Sequence, residues 1–253
     1  MDIRLEAAEY YDLQPFPDDV PFYENLISSN TVDVLELGCG TGRVLSRLAN
    51  RCGYIHGIDL SETMLSICHQ KLQEAGIPKA KAYAEIGDIT DFCLGRTFDF
   101  IIAPFRAIQN LETDDQVNGL FHCIDKHLAP NGNCILNAFH PWPLEKLRHI
   151  LTTREENFNW EATSGEIRIT CHYRFRHIDF EKQVLYPELI YRHYKDNTLD
   201  NETNLKIIMR FYYPREFEDL IVSRGFKIIN RWGGYADEPY GSGPELVIEF
   251  GFR

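Results

Sequence analysis

The stretch Val32–Arg43, VDVLELGCGTGR, runs from a short apolar segment (Val32, Val34, Leu35, Leu37) into three alternate glycines, Gly38, Gly40 and Gly42, and then into a helix starting near Arg43. Glycine is required where a ligand lying across a strand end must approach the backbone with no Cβ in the way. The helix start behind the turn adds free N–H groups and a favourable dipole for polar groups of that ligand. Read outward from here, the chain opens on a nucleotide-type pocket.

Spacing narrows the ligand. The dinucleotide fingerprint G-x-G-x-x-G would put its third glycine at position 43, which is Arg43, and no G-K-[ST] follows. An ordinary strand-to-helix turn also fits the glycines taken alone. The remaining pattern, E-x-G-x-G-x-G, resembles motif I of the class I S-adenosylmethionine-dependent methyltransferases, carried here by Glu36, Gly38, Gly40 and Gly42. The resemblance implies that these residues, with Cys39 between them, hold S-adenosyl-L-methionine. A NAD-dependent oxidoreductase using the same pocket is disfavoured by Arg43.

The chain has 253 residues and a formal net charge of -12. That length suits one α/β domain with an insertion. The acidity argues against a protein whose main partner is a phosphate backbone, so no nucleic acid is expected. Seven cysteines are scattered with no C-x-x-C pair, which predicts neither a zinc site nor a disulfide framework, no metal, and a reduced, cytoplasmic compartment. Met1–Tyr11 carries charges in place of an apolar leader, and no apolar run approaches a membrane span.

Residues 3 to 13 read as a short amphipathic helix, and a second helix is expected from about Val20 to Ser28. Val44–Arg51 continues the helix begun at Arg43. A second strand, Tyr54–Leu60, ends on Asp59, where a carboxylate accepts bonds from vicinal ribose hydroxyls. Its other reading, a helix N-cap, is already filled by Ser61. Leu60 and Met64 stand where adenine faces would be covered, although apolar residues there also make ordinary core. Lys81–Ile86 is a third strand, leading to Gly87-Asp88-Ile89. Phe98–Pro104, FDFIIAP, reads as a buried parallel strand. A helix over Asp114–Leu128, a turn at Asn131-Gly132 and a fifth strand over Cys134–Phe139 follow.

Residues 32 to 140 thus follow the methyltransferase template in order, down to an L-x-P-x-G turn similar to motif VI. The resemblance implies further roles. Asp88 would accept the adenine amino group with Ile89 against the ring, and Ala103 and Pro104 would hold the cofactor's amino end. A tyrosine of the N-terminal helix, Tyr11 in preference to Tyr10, would close over the methionyl end, leaving Tyr10 to the acceptor. The exit Ala103-Pro104-Phe105-Arg106 lacks the [DN]-P-P-[YF] of nucleobase amino-methylating members. Arg106 reads equally as a rim for an anionic or carbonyl group on the acceptor and as an anchor for a neighbouring loop. His140, after the fifth strand, is a titratable candidate for a general base, or else a strand cap, and the N-terminal tyrosine Tyr11 is the other catalytic candidate for that proton. Tyr235 and Tyr240 either reach the acceptor cavity or cap the sheet.

Residues 158–212 break the rhythm. Glu166–Ile178, Gln183–Tyr194 and Asn204–Tyr213 alternate apolar with charged residues, predicting a three-stranded antiparallel sheet that serves as substrate wall or homodimer contact. The expected fold is a three-layer α/β/α Rossmann-like sandwich. Its sheet has seven strands, mostly parallel with an antiparallel last strand, within a single domain over 1–253. The expected activity is methyl transfer to an O or N of a small molecule, with non-catalytic S-adenosylmethionine binding as a further alternative.

Overall fold

The computed structural model describes residues 8–27, 29–236 and 238–253. Residues 3–7 of the expected first helix and Ser28 of the second lie outside that set.

Strand β1 (Asp33–Leu37) shows why the chain forms layers. Its Leu35 and Leu37 pack with Val117, Leu120 and Phe121 on one side, and its Val34 packs with Leu45, Leu65 and Cys68 on the other. A strand apolar on both faces must be covered on both. The first side is covered by α5 (Asp114–His127) and α7 (Pro214–Val222), the second by α2 (Asp19–Leu26), α3 (Leu45–Leu48) and α4 (Glu62–Glu74).

The sheet also contains β2 (Tyr54–Asp59), β3 (Ala82–Ile86), β4 (Phe98–Ala103), β5 (Leu128–Phe139), β11 (Phe226–Trp232) and β12 (Glu245–Phe252), in the order β11-β12-β5-β4-β1-β2-β3. Strand β12 runs antiparallel to both neighbours, while β1 pairs in parallel with β2 and β4. The chain leaves β1 toward β3 and returns to β4 on the other side of β1. The order therefore reverses between β1 and β4, and a ligand cleft opens outside their carboxyl ends.

A second, antiparallel sheet contains β6 (Asn157–Ser164), β7 (Ile167–Asp179), β8 (Val184–Lys195), β9 (Thr198–Lys206) and β10 (Met209–Arg210). It has five strands where three were expected. Asp196 and Asn197 both adopt left-handed φ, 49° and 61°, in a two-residue hairpin between Lys195 and Thr198. The connection between the expected strands Gln183–Tyr194 and Asn204–Tyr213 is therefore confined to Asp196 and Asn197, and strand resumes at Thr198. Helix α6 (Leu144–Thr153) packs on this sheet through Leu147, beside Phe175 and Ile178. Helix α1 (Ala8–Tyr11) meets it through Tyr10.

Two further expectations are corrected. The helix over 44–51 is a single turn, Leu45–Leu48. Asn131-Gly132 is not a turn but lies inside β5, where the register against β4 slips between Phe98 and Phe100. Among the described residues no helix is long and apolar enough to cross a membrane.

Candidate active site

All three motif glycines take left-handed φ: 73° at Gly38, 51° at Gly40 and 73° at Gly42. A Cβ at Gly40 would meet only the Tyr11 ring, at 4.0 Å, so that face of the turn is open. At Gly42 it would lie 2.5 Å from Cys68 Sγ, so glycine there serves packing. The Cys39 side chain is buried in the core beside Leu45 and Cys68, which leaves its backbone alone at the cleft.

Asp59 is tied to the turn. Gly40 N–H donates to Asp59 Oδ2 at 2.8 Å and Ser61 N–H to Oδ1 at 2.9 Å. Ser61 caps α4, accepting from Met64 N–H at 3.2 Å. A carboxylate offers about four lone-pair sites, so Asp59 keeps acceptor capacity after these two bonds. Beside it, Leu60 is 65 % and Ile86 52 % exposed. Two large aliphatic side chains stand open to solvent at the ends of β2 and β3. Ile86 was missed by the sequence reading because a strand-final isoleucine looks like core. Met64 is closed off from solvent, and Ile89 lies in the core. Asp88 uses Oδ1 in a local turn, accepting Thr90 N–H at 2.8 Å and Thr90 Oγ1–H at 2.7 Å.

Glu36 is buried, and its Oε2 has no hydrogen-bond partner among the described residues. Burial pushes its carboxyl well above the usual carboxylate range, with nearby Arg43 opposing the rise. Arg43 grips buried Asp19 with both nitrogens, at 2.5 and 2.7 Å, and lies over the Phe16 ring at 4.1 Å from its centroid. The Tyr11 and Phe105 rings flank Phe16 at 5.2 and 5.0 Å, forming an aromatic edge beside Gly40. Tyr10 points the other way, buried against Tyr191 and His193 at 5.3 and 4.6 Å. The two tyrosines are thus separated, with Tyr11 at the glycine turn and Tyr10 under the second sheet.

At the exit of β4, Ala103 and Pro104 are buried, while Phe105 and Arg106 both take left-handed φ, 50° and 68°. Two consecutive non-glycine residues there carry strain of about 1–3 kcal/mol each. Surrounding bonds hold them. Arg106 N–H donates to Asn137 Oδ1 at 2.9 Å, and its guanidinium clasps buried Glu245, with Nε 3.1 Å from Oε1. These contacts describe the anchor reading of Arg106. Asn137 Nδ2 in turn donates to Tyr235 Oη at 2.7 Å and Glu245 Oε2 at 3.1 Å. Burial, then Glu245, push the Tyr235 phenol well above its ordinary value. Tyr240 instead donates to the Pro214 carbonyl at 2.8 Å. His140 caps the end of β5: its N–H donates to Pro244 O at 2.8 Å and its Nδ1–H to Gly243 O at 3.0 Å. With Nδ1 donating, the neutral ring carries its lone pair on Nε2.

The strand order and the glycine turn define a class I methyltransferase fold. Residues 34–132 match the family model described as a methyltransferase domain. A Streptomyces venezuelae dTDP-3-amino-3,4,6-trideoxy-alpha-D-glucopyranose N,N-dimethyltransferase is 26% identical over 148 residues, covering 55% of this chain and 58% of that one. The chain spans little more than half the length of the curated relatives it matches first. The CcbJ methyltransferase of Streptomyces caelestis superposes with a TM-score of 0.77 at 19% identity, over 100% of this chain and 98% of that one. DesVI of Streptomyces venezuelae does so with a TM-score of 0.74 at 18% identity, over 98% and 99%.

Proposed function

We propose that this protein transfers a methyl group from S-adenosyl-L-methionine to an O or N of a small molecule. The observation that carries the reading is the bond from Gly40 N–H to Asp59, which fixes an acid with spare acceptor capacity at the edge of an open glycine turn. The residues fit that cofactor. Asp59 would take the ribose hydroxyls, Leu60 and Ile86 the adenine faces, Asp88 the adenine amino group, and the partnerless oxygen of Glu36 lies behind the turn toward the methionyl end. When bound, the cofactor supplies a methyl carbon already electrophilic on sulfonium.

The chain's own task is then to hold an acceptor in line and exclude water. Tyr11, Phe16 and Phe105 supply an apolar edge to that volume. If the acceptor carries a proton, the lone pair on His140 Nε2 takes it. Arg106 acts through position: clasped by Glu245, it holds the strained β4 exit in place. The second sheet is read as the acceptor-side wall, the compartment as the cytoplasm, and a homodimer through that sheet is compatible with both. Several relatives are named as dimethyltransferases of amino sugars, so nucleotide-linked amino sugars are the acceptors to try first.

Calorimetric titration of the full chain with S-adenosylhomocysteine and, separately, NADH tests the cofactor. Binding of the first alone is expected. Asp59→Ala should weaken it at least tenfold, since hydrogen bonds to a charged group contribute about 1.5–3 kcal/mol each. Binding of NADH alone, or an unchanged affinity in Asp59→Ala, would overturn the reading.

A further inference from the structure

Two buried thiols behind the glycine turn have no part in the chemistry above. Cys39 lies between Gly38 and Gly40 and is 4% exposed, and Cys68, on α4, is fully buried. Neighbouring glycines make room for both sulfurs. A Cβ at Gly42 would fall 2.5 Å from Cys68 Sγ, and one at Gly57 would fall 2.7 Å from Cys39 Sγ. The two thiols are hydrogen-bonded to each other. That bond, followed by the Lys71 ammonium, draws the Cys68 thiol below its ordinary value, while the same bond and burial raise Cys39. Lys71 is itself fixed, with Nζ 2.6 Å from Asp12 Oδ2 and 3.1 Å from Thr41 Oγ1. Of the two, Cys68 is thus the sulfur that loses its proton more readily, and Cys39 the one that holds it.

We infer that Cys39 and Cys68 form an oxidisable dithiol site: a peroxide joins them in a disulfide that clamps the glycine turn to α4 and weakens cofactor binding, and a dithiol reductant reverses it. The effect on binding rests on the function proposed above; the cross-link does not. In the first step Cys68 thiolate attacks one peroxide oxygen and the O–O bond breaks. Sulfenic acid forms, and the hydroxide released leaves as water with a proton from solvent. Cys39 sulfur then attacks the sulfenic sulfur, the S–S bond forms, and the hydroxyl departs as water with the Cys39 proton. Two thiols lose two electrons and two protons, and one peroxide becomes two waters. A disulfide needs its sulfurs about 2 Å apart, well inside a thiol–thiol hydrogen bond. Closure must therefore pull Cys39, and the peptide groups of Gly38 and Gly40 with it, toward α4.

The experiment treats the full chain with hydrogen peroxide, blocks remaining thiols, and maps peptides by mass. S-adenosylhomocysteine is titrated before treatment, after it, and after dithiothreitol. Expected is a Cys39–Cys68 cross-linked peptide, an affinity at least tenfold weaker, and recovery on reduction. Saturating S-adenosylhomocysteine should slow the cross-link. Cys93→Ser, which removes an exposed thiol, should respond as the parent does, whereas Cys68→Ala should lose the peroxide response. The proposal is overturned if Cys39 and Cys68 are recovered unlinked after peroxide has oxidised Cys93, or if the cross-link forms and affinity stays unchanged. Mapping on the parent chain decides the cross-link even if Cys68→Ala does not fold. A reduced chain that fails to bind S-adenosylhomocysteine would sink the cofactor reading alone.

Discussion

Glu36 is a residue whose cost is set by its surroundings. It lies next to the last residue of β1, beneath the glycine turn, buried, with one carboxyl oxygen lacking a partner among the described residues. Burial, with Cys68, Asp19 and Asp59 adding to it, holds its pKa well above the usual range. The sign follows from linkage. In the unfolded chain the carboxyl ionises near pH 4.3, whereas in the folded chain it keeps its proton to higher pH. Stability is therefore fully present below the unfolded pKa and is lost as pH rises toward the folded one, by at most about 1.4 kcal/mol per pH unit. Glu36→Gln keeps the shape and removes the ionisation. Urea denaturation of both proteins without cofactor should give similar stabilities near pH 4 and a widening advantage for Glu36→Gln between pH 5 and 8. A difference that stays flat with pH would mean that the carboxyl is not held neutral. The motif spacing made Glu36, Gly40 and Asp59 legible as a group. The orphaned oxygen was not legible, because it depends on what Asp19 and Arg43, from a different element, do with each other.

Among the elements, the glycine turn separates two uses of one residue type. Gly40 and Gly42 both have left-handed φ, so Ala at either costs about 1–2 kcal/mol of backbone strain. Only at Gly42 does the added methyl also meet a packed neighbour, the Cys68 sulfur at 2.5 Å on the buried face of α4. Gly42→Ala should therefore lower thermal stability by several degrees more than Gly40→Ala. On the proposed function, Gly40→Ala should act chiefly on cofactor affinity, because its open face is where S-adenosylmethionine would approach. Equal losses of stability would contradict this division. Elements were legible where pattern and burial agreed: β1, β4 and α5 announce themselves because their apolar positions follow a buried face. The unread strands lack that agreement. Strand β6 buries only Trp160 and β9 only Leu205, so neither shows an alternation to read. Helix α6 has a single buried residue, Leu147. Its position depends on the second sheet, with which its neighbours were not read.

At the scale of the whole molecule, one buried amide links the two sheets. Gln109 sits in the 3-10 turn Ala107–Asn110 that follows β4 and is 1% exposed. Its Oε1 accepts from Phe139 N–H at 2.8 Å, at the end of β5, and its Nε2 donates to the Arg210 carbonyl at 2.7 Å, in β10 of the second sheet. Apolar packing supports the same joint, since Phe139, Phe175 and Phe211 share a cluster. Packing is tolerant of small slides, while the amide fixes a direction. Gln109→Ala leaves a buried N–H and a buried C=O unsatisfied, at about 1–3 kcal/mol each, and frees β10 to shift against the end of β5. Denaturant unfolding should show a loss of about 2–4 kcal/mol. Native-state hydrogen exchange should locate it, with faster exchange at residues 209–211 and 139–140 and little change in β1 and β2. On the proposed function, with cofactor residues around β1 and β2 and the acceptor between β5 and the second sheet, affinity for S-adenosylhomocysteine should hold while KM for the acceptor rises. Uniformly faster exchange would show that Gln109 supports the whole fold. Unchanged exchange at residues 209–211 would show that the aromatic cluster alone sets how the two sheets meet.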